Sequence, residues 1–352
     1  MVDWSAPMQQ TYEYYIVEPN TWKDLKPLNS IKTCTIKRDS GVETRGSASL
    51  SITDSIGECY VRAYLVTIQN GVKGKHPLGT FLVQSPSSSF DGRVKEVTMD
   101  AYTPLLELKE KQPPIGYYVA KNGNVMDAAY RLTRENLRAP VSEPKCSETL
   151  FNNFVADIDD TWLTFLIDLM NNAKYSFDID EMGRILFSPK QDTASLQPVW
   201  TFNDDNSSIL YPELSMDHDL YKIPNVVEVI YSNGEINYQT RIVNDDPNSP
   251  ISTVSRGREI VYRETDPNVI GDPTEKRIDE FATQLLKDLS TIEYTITYTH
   301  GYCPVRIGDC VRLNYVRAGI KNVKAKVISQ SIKCEPGCPV TEKAVFTNKL
   351  WR

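Results

Sequence analysis

The chain begins with runs in which apolar and polar residues alternate, and this pattern continues to about residue 105. Alternation predicts β-strands, because successive side chains of a strand point to opposite faces of a sheet. Strands are expected near residues 12–16, 31–38, 47–53, 58–69, 78–83 and 94–101. A Gly/Lys-rich turn at 70–75 and a turn at Asp91–Gly92 separate the later strands. Strands at such regular spacing favour a β-sandwich or a β-barrel.

The spacing of apolar residues becomes helical in the middle of the chain. One helix is predicted over 124–138 and ends before Pro140, and a second over 161–173 with Asp159 or Asp160 available as its N-cap. Two short strands, 175–180 and 184–188, flank a turn at 181–183 and form a hairpin. These elements predict a small α+β insert.

Strand patterns return from about residue 208. Strands 226–231 and 235–243 surround Ser232-Asn-Gly234, a strong hairpin turn. A capping box, Asp272-Pro-Thr-Glu275, begins an amphipathic helix over 273–290. Further strands are expected at 292–298, 305–315 with an interruption at Gly308-Asp309, 323–333 and 343–350. The chain is therefore predicted to be α+β and mainly β.

Three segments follow from these patterns. We expect an N-terminal β domain over 1–108, an α+β insert over 109–207 and a C-terminal β domain over 208–352 that contains helix 273–290. The content of 40% hydrophobic and 24% charged residues is that of a folded globular protein. No run reaches the ~18 apolar residues of a membrane span, and the first residues do not resemble a secretion signal. We expect folding in the cytoplasm and no membrane partner.

The cysteines and histidines do not complete a known catalytic or metal-binding motif. Cys334 and Cys338 have a spacing that invites a zinc site, but no second close pair accompanies them, so inert thiols in a loop are the preferred interpretation. The histidines, His76, His218 and His300, are each expected in a loop or at the surface. A catalytic triad has no GxSxG motif to support it.

Acidic clusters are the strongest candidates for chemistry. They lie at Asp157–Asp160, Asp178–Glu181, Asp204–Asp205 and Asp245–Asp246. Such clusters suit Ca²⁺ binding or the paired carboxylates of glycoside hydrolysis, but none has EF-hand spacing, and helix capping and turn formation explain them more simply. We predict no catalytic residue, cofactor or metal. The net charge of −7 without a basic stripe argues against specific nucleic-acid binding.

Several segments resemble a known family when they are taken in order. They are Val61-Arg-Ala-Tyr-Leu, Pro77-Leu-Gly-Thr-Phe-Leu-Val83, the run from Val94 to Tyr102, Pro104-Leu-Leu-Glu-Leu108, and Val305-Arg-Ile-Gly-Asp-Cys-Val-Arg-Leu313 after the amphipathic helix. This order is similar to that of phage tail baseplate hub proteins, including the late-control-D-like hubs, especially from phages of Gram-positive hosts. The resemblance spans most of the chain.

The resemblance implies two small, tail-tube-like β-barrel domains with the α+β insert between them. It implies a structural, non-enzymatic hub that forms a homotrimeric ring around the channel and joins the tail tube to the central spike or tip. The implied partners are the tail tube or distal tail protein, the spike or tip protein and the tape measure protein. The implied location is the virion baseplate, after assembly in the bacterial cytoplasm, and any cell-wall cleavage would belong to a partner. A distal tail protein and a cell-wall glycan hydrolase are the alternatives.

Overall fold

The structure, a computed structural model, describes residues 2–53, 56–90, 92, 95–191, 193–205, 208–218, 223–232, 237–265 and 274–351. About half of the chain is strand and about one-sixth is helix, which confirms the predicted α+β, mainly β class. The chain forms two compact units. The first comprises Met1–Leu214 and Thr297–Ala344, and the second comprises Ser215–Ile296 and Val345–Arg352.

The N-terminal part of the first unit consists of strands. They are β1 (Gln9–Glu18), β2 (Lys23–Pro27), β3 (Ile31–Asp39), β4 (Gly46–Ile52), β5 (Tyr60–Gln69), β6 (Val72–Phe90) and β7 (Lys95–Tyr102). The turn predicted over residues 70–75 is shorter in the structure. Asn70 and Gly71 both have positive φ, as a two-residue hairpin turn requires, so β6 already begins at Val72. Asp91 and Val94 of the predicted turn and strand lie outside the described residues.

The segment that contains the predicted insert follows, and most of it packs around a second hydrophobic core. Its elements are α1 (Leu106–Lys109), β8 (Tyr118–Val119), α2 (Val125–Asn136), β9 (Phe154–Val155), α3 (Trp162–Asn171), β10 (Tyr175–Ile179), β11 (Ile185–Pro189), a 3₁₀ turn (Thr193–Ser195) and β12 (Pro198–Asn203). The N-cap of α3 is Thr161, whose hydroxyl accepts from Thr164 N at 3.2 Å, and not Asp159 or Asp160 as predicted. Edge-to-face rings of Tyr117, Trp162 and Phe165 pack in this core.

Strands and one long helix form the C-terminal part. They are β13 (Leu210–His218), β14 (Val226–Ser232), β15 (Asn237–Val243), α4 (Thr253–Arg256), β16 (Val261–Thr265), α5 (Glu275–Leu289), β17 (Thr291–Gly301), β18 (Cys310–Tyr315), a 3₁₀ turn (Val316–Ala318), β19 (Ile320–Lys333) and β20 (Pro339–Lys349). Helix α5 starts after Thr274, whose hydroxyl accepts from Arg277 N. Asp272 and Pro273 of the predicted capping box, and Asn233-Gly234 of the predicted hairpin turn, lie outside the described residues.

The predicted strand 305–315 is shorter than expected. It begins at Cys310, because residues 305–309 form a turn in which Arg306 N donates to Asp309 Oδ2 at 2.8 Å. Alternation in β17 is confirmed, since Ile292, Ile296 and Tyr298 are buried while their neighbours are partly exposed or exposed.

The largest sheet has the order β13-β17-β20-β19-β3-β4-β7-β6-β5-β1-β2, with β18 paired to β19 and β12 parallel to β18. Five strands separate β1 from β19 along this path, yet the Tyr12 hydroxyl donates to Glu335 O, just after β19, at 2.7 Å. The sheet therefore curls around one core, to which β3–β7 and the β19–β20 region both contribute. Two closed barrels stay a prediction, because the described pairings trace an open path.

In the second unit, α5 covers a three-stranded sheet with the order β15-β14-β16. Strands β14 and β15 pair from Val226↔Val243 to Ser232↔Asn237, which confirms the predicted antiparallel hairpin. The apolar stripe of α5 contributes Ile278, Ala282 and Leu286, which pack on Val227 and Val229 of β14. Helical spacing in the sequence thus identifies the buried face of α5 correctly.

Candidate functional site

The turn between β10 and β11 is a point where the insert contacts the sheet of the first unit. Glu181 in this turn accepts from Arg306 Nε at 2.9 Å and lies 3.3 Å from Nη1 of Arg38 on β3. Arg306 also donates to Ile179 O at 2.8 Å. One carboxylate thus contacts two guanidinium groups from distant segments. These charged contacts fix the position of the turn against the sheet.

Arg62 on β5 holds the same turn from its other side. It is 1% exposed, and its guanidinium donates to Thr80 Oγ1 (2.8 Å), Asp24 Oδ1 (2.8 Å), Trp22 O (3.3 Å) and Met182 O (3.0 Å). The Trp22 indole donates to the same Met182 carbonyl at 2.7 Å. Alternation in the sequence predicts that only one face of β5 is buried. Both faces are buried, because the turn covers the face that carries Arg62.

Gly183 allows this close contact. Its φ is +78°, and a Cβ there would lie 2.7 Å from the side chain of Thr80. Any other residue would be strained by the backbone conformation and would collide with β6. The predicted turn residues 181–183 therefore form a joint, which we call the insert joint: Glu181, Met182 and Gly183 held by Arg38, Arg62 and Arg306.

A cavity of about 390 Å³ lies beside the insert joint. Its lining carries both signs of charge, with Arg45, Arg306 and Lys326 facing Asp178 and Glu181. Burial lowers the pKa of Arg45. Burial also raises the pKa of Asp309, although the hydrogen bond and charge of Arg306 act in the opposite direction. The carboxylates Asp178 and Glu181, our candidates for calcium binding or hydrolysis, are within 4 Å of arginine, which suits a structural role.

The other acidic clusters also make contacts within the protein. Asp160 accepts from Asp157 N at 2.8 Å and from the Thr164 hydroxyl at 2.9 Å, at the start of α3. A backbone hydrogen bond from Arg317, reinforced by its side chain, lowers the pKa of Asp204. Asp246 accepts from Asn248 N in its loop. Within the described part of the chain, no three His, Cys, Asp or Glu side chains are grouped to hold a metal ion.

The prediction of a loop or surface position for His300 is wrong. His300 lies on β17, is fully buried, and faces Glu342 of β20 with Nε2 3.3 Å from Oε1. Its Nδ1 lies 2.6 Å from Gly301 O, so each ring nitrogen faces an oxygen atom. His76 is half-buried and contacts Thr67 and the ring of Trp4. The side chain of His218 lies outside the described residues.

Glu342 is the centre of this buried polar network. The Tyr298 hydroxyl donates to Oε2 at 2.5 Å, and the Gln330 amide donates to Oε1 at 2.6 Å. Burial opposes ionisation, but His300, Tyr298 and Gln330 outweigh it and hold the pKa of Glu342 below its usual value. Gln330 accepts in turn from Arg38 Nη1 at 3.1 Å, which connects the network to the insert joint. Sequence reasoning missed it, because its members are far apart in sequence.

The seven cysteines are free thiols. Cys334 and Cys338 flank the turn between β19 and β20, which agrees with the predicted loop. Cys338 is buried, and burial raises the pKa of its thiol to about 12. The buried Cys338 thiol is therefore a poor metal ligand and a poor nucleophile.

An exposed apolar surface lies on the insert around β8 and β9. Tyr118 and Val155 pair across these strands and are 55% and 56% exposed, while Ile115 and Ile158 beside them are 92% and 80% exposed. We call these four residues the insert patch. Exposed apolar side chains grouped on one element are typical of protein–protein contact surfaces.

Comparison with known proteins shows what the chain is similar to in fold. No protein-family model matches the chain, and no curated protein matches it in sequence. A tail protein from Neisseria meningitidis MC58 superposes with a TM-score of 0.63 at 13% identity, covering 96% of both chains. The 43 kDa tail protein of prophage MuSo2 from Shewanella oneidensis gives 0.62 at 10% identity, covering 95% of this chain and 97% of that one. The likeness extends over nearly the whole chain and shows a shared fold.

No helix in the described ranges combines the length and the apolar character that crossing a membrane requires.

Proposed function

We propose that this chain is a structural component of a phage or phage-like tail, and specifically its baseplate hub. In this role, three copies form a ring that joins the tail tube to the central spike or tip and surrounds the channel. The observation that carries the proposal is the fold shared along nearly the full length with two tail proteins. The location would be the tail baseplate of the virion, and the role would not be enzymatic.

The charged groups support a structural role. Asp178 and Glu181, which a hydrolase would need as free carboxylates, lie within ion-pair distance of Arg306. Glu342 and His300 are buried and reach no solvent. Catalysis needs an acid and a base that a substrate can approach, whereas these groups hold strands and the insert together.

The insert patch supports assembly. We propose that it contacts the neighbouring copy in the ring, because Tyr118 and Val155 are paired across β8 and β9, and the exposed Ile115 and Ile158 lie three residues from them in the chain. An assembling subunit needs such surfaces, since burial of apolar area is the main source of association free energy. The tail tube or distal tail protein, the spike or tip protein and the tape measure protein would contact other surfaces.

Light scattering during size-exclusion chromatography, followed by electron microscopy, tests the proposal. We expect a trimer and ring-shaped particles with a central channel. Ile158→Asp should shift the protein to monomers, whereas Val316→Asp, which changes another exposed apolar residue of the same unit, should leave the trimer intact.

A monomer at every concentration, with or without a tail tube or spike protein present, would argue against the hub. Digestion of purified cell walls by the wild-type chain, and its loss in Asp178→Asn, would instead favour the glycan hydrolase alternative. A ring of another symmetry that binds the tail tube would favour a distal tail protein.

A further inference from the structure

Two cysteines from opposite ends of the chain face one another across neighbouring strands. Strands β3 and β19 pair with Thr35 opposite Lys333, and Cys334 N continues the ladder by donating to Cys34 O at 2.9 Å. Directly opposite residues that share such a bond have Cα atoms ~5.5 Å apart, which is a separation typical of disulfides. Their side chains lie on the same face of the sheet.

The two cysteines also share one hydrophobic core. Cys34 is 3% exposed within the main core, and Cys334 packs against that core while remaining partly accessible. Burial, and then the neighbouring Cys34 and Cys334, raise the pKa of the Tyr14 hydroxyl, as expected if both cysteines lie beside this side chain.

We infer that Cys34 and Cys334 form a site of oxidative cross-linking, at which a small-molecule disulfide converts the two thiols to a cross-strand disulfide. The Cys334 thiolate, the more accessible of the two, attacks one sulfur of oxidised glutathione and releases one glutathione thiolate. The Cys34 thiolate then attacks Cys334 Sγ in the mixed disulfide and releases a second glutathione. The protein loses two hydrogens, and oxidised glutathione is reduced to two thiols.

The cross-link would bridge the N-terminal and the C-terminal strands of the largest sheet. The β3–β19 ladder joins the N-terminal strands to the C-terminal strands in the path of the largest sheet. A bond between positions so far apart in sequence restrains the unfolded chain strongly. This inference does not depend on the hub proposal, because it rests on the register of β3 and β19 alone.

The reaction should be slow near neutral pH and faster as the pH rises. The hydrogen bond with Cys34, and then burial, raise the pKa of the Cys334 thiol, and the thiolate is the nucleophile in thiol–disulfide exchange. The protein can therefore fold with reduced thiols and acquire the cross-link later, on entering an oxidising medium.

Tryptic mapping of the folded chain after oxidation tests the site. Lysines at 32, 37, 333 and 343 release peptide 33–37, which contains Cys34, and peptide 334–343, which contains Cys334 and Cys338. After treatment with oxidised glutathione and alkylation of the remaining thiols, we expect these two peptides to be joined, with a mass two hydrogens below their sum.

The matched control is Cys338→Ser, which removes the neighbouring thiol of the same turn. It should keep the cross-link and show a higher unfolding midpoint after oxidation than before, whereas Cys34→Ser and Cys334→Ser should show neither. Recovery of peptide 33–37 with a free or glutathionylated Cys34, or of a Cys334–Cys338 bond within peptide 334–343, would overturn the inference. Since Cys338→Ser keeps both reacting residues, misfolding of the other variants cannot conceal the result.

Discussion

Two glutamates on strands, Glu342 in the first unit and Glu228 in the second, show how differently one residue type can be used. Both have a lowered pKa. Glu342 is fully buried and accepts from Tyr298 and Gln330. Glu228 lies on β14 directly opposite Arg241 on β15 and Arg263 on β16, and its pKa is lowered chiefly by the hydrogen bond from Arg263.

The difference shows that a pKa shift alone does not measure stabilisation. The Glu228 group lies near solvent, where water and salt screen its attraction to the two arginines. The Glu342 group is fully buried, so a lost partner leaves a buried polar group without a hydrogen bond. Removing one partner should therefore be costly in the first unit and nearly neutral in the second.

The largest effect should come from Glu342→Ala. The substitution leaves the Tyr298 hydroxyl, the Gln330 amide and the His300 ring without their shared acceptor. We expect a loss of about 3–5 kcal/mol in the free energy of unfolding, because each buried donor left without its partner costs about 1–3 kcal/mol. Urea unfolding followed by circular dichroism measures it.

Glu342→Gln is the control for this substitution, because it keeps the shape and one acceptor oxygen. Combining Glu342→Gln with His300→Gln should cost less than the sum of the two single changes, since the double variant buries no unpaired charge. Additive losses would show that His300 and Glu342 do not interact.

Arg62→Met should have the next largest effect. It removes the hydrogen bonds to Asp24 and Thr80 and one of the two hydrogen bonds to the Met182 carbonyl of the insert joint. We expect a loss of about 3 kcal/mol, as for other buried charge partners. Proteolysis should also accelerate within the insert if the joint holds it in place.

Arg263→Met is the matched control for Arg62→Met, because it removes an arginine of similar length from a strand where the side chain is 70% exposed. It should leave the urea midpoint nearly unchanged. Equal losses for the two variants would contradict the assignment of Arg62 as a buried anchor.

Lowering the pH should remove the stability that the ionised Glu342 contributes. The pKa of Glu342 is lower in the folded protein than its usual value of 4.5, so its ionisation stabilises the fold above that pH. This contribution is lost as the pH falls through the folded pKa. We expect the wild-type chain to lose more stability than Glu342→Gln between about pH 5 and about pH 3, measured by urea midpoints. Parallel curves would show that Glu342 does not control acid unfolding.

The sequence predicts features that depend on neighbouring residues, and it misses features that depend on residues far apart in the chain. The stripe of α5 and the alternation in β17 are local patterns, and both correctly identify buried faces. The turn at Asn70–Gly71 was local too, but the Lys-rich residues after it obscured the start of β6. The network of His300, Gln330 and Glu342 depends on the order of β17, β20 and β19 in the sheet, which alternation within one strand cannot specify.

The insert joint shows the same limit. A turn at 181–183 was predictable from Gly183, but its binding to Arg38, Arg62 and Arg306 was not, because those residues come from three distant segments. Arg62 carried one signal, a charged residue within a strand flanked by Tyr60 and Tyr64. A charge among large apolar side chains implies a buried partner, although it does not identify one.

Glu228→Gln should have the smallest effect and would complete the comparison. The amide oxygen can still accept from one of the two arginines, while the other loses its acceptor and the attraction of opposite charges, which solvent already screens. We expect a small decrease in the urea midpoint at low salt, and none at about 0.5 M NaCl, where the screening length is only a few ångströms. The loss in Glu342→Gln should persist at that salt concentration, because ions do not reach a buried carboxylate. If salt abolished both losses, the contrast between a solvent-screened and a solvent-excluded glutamate would be wrong.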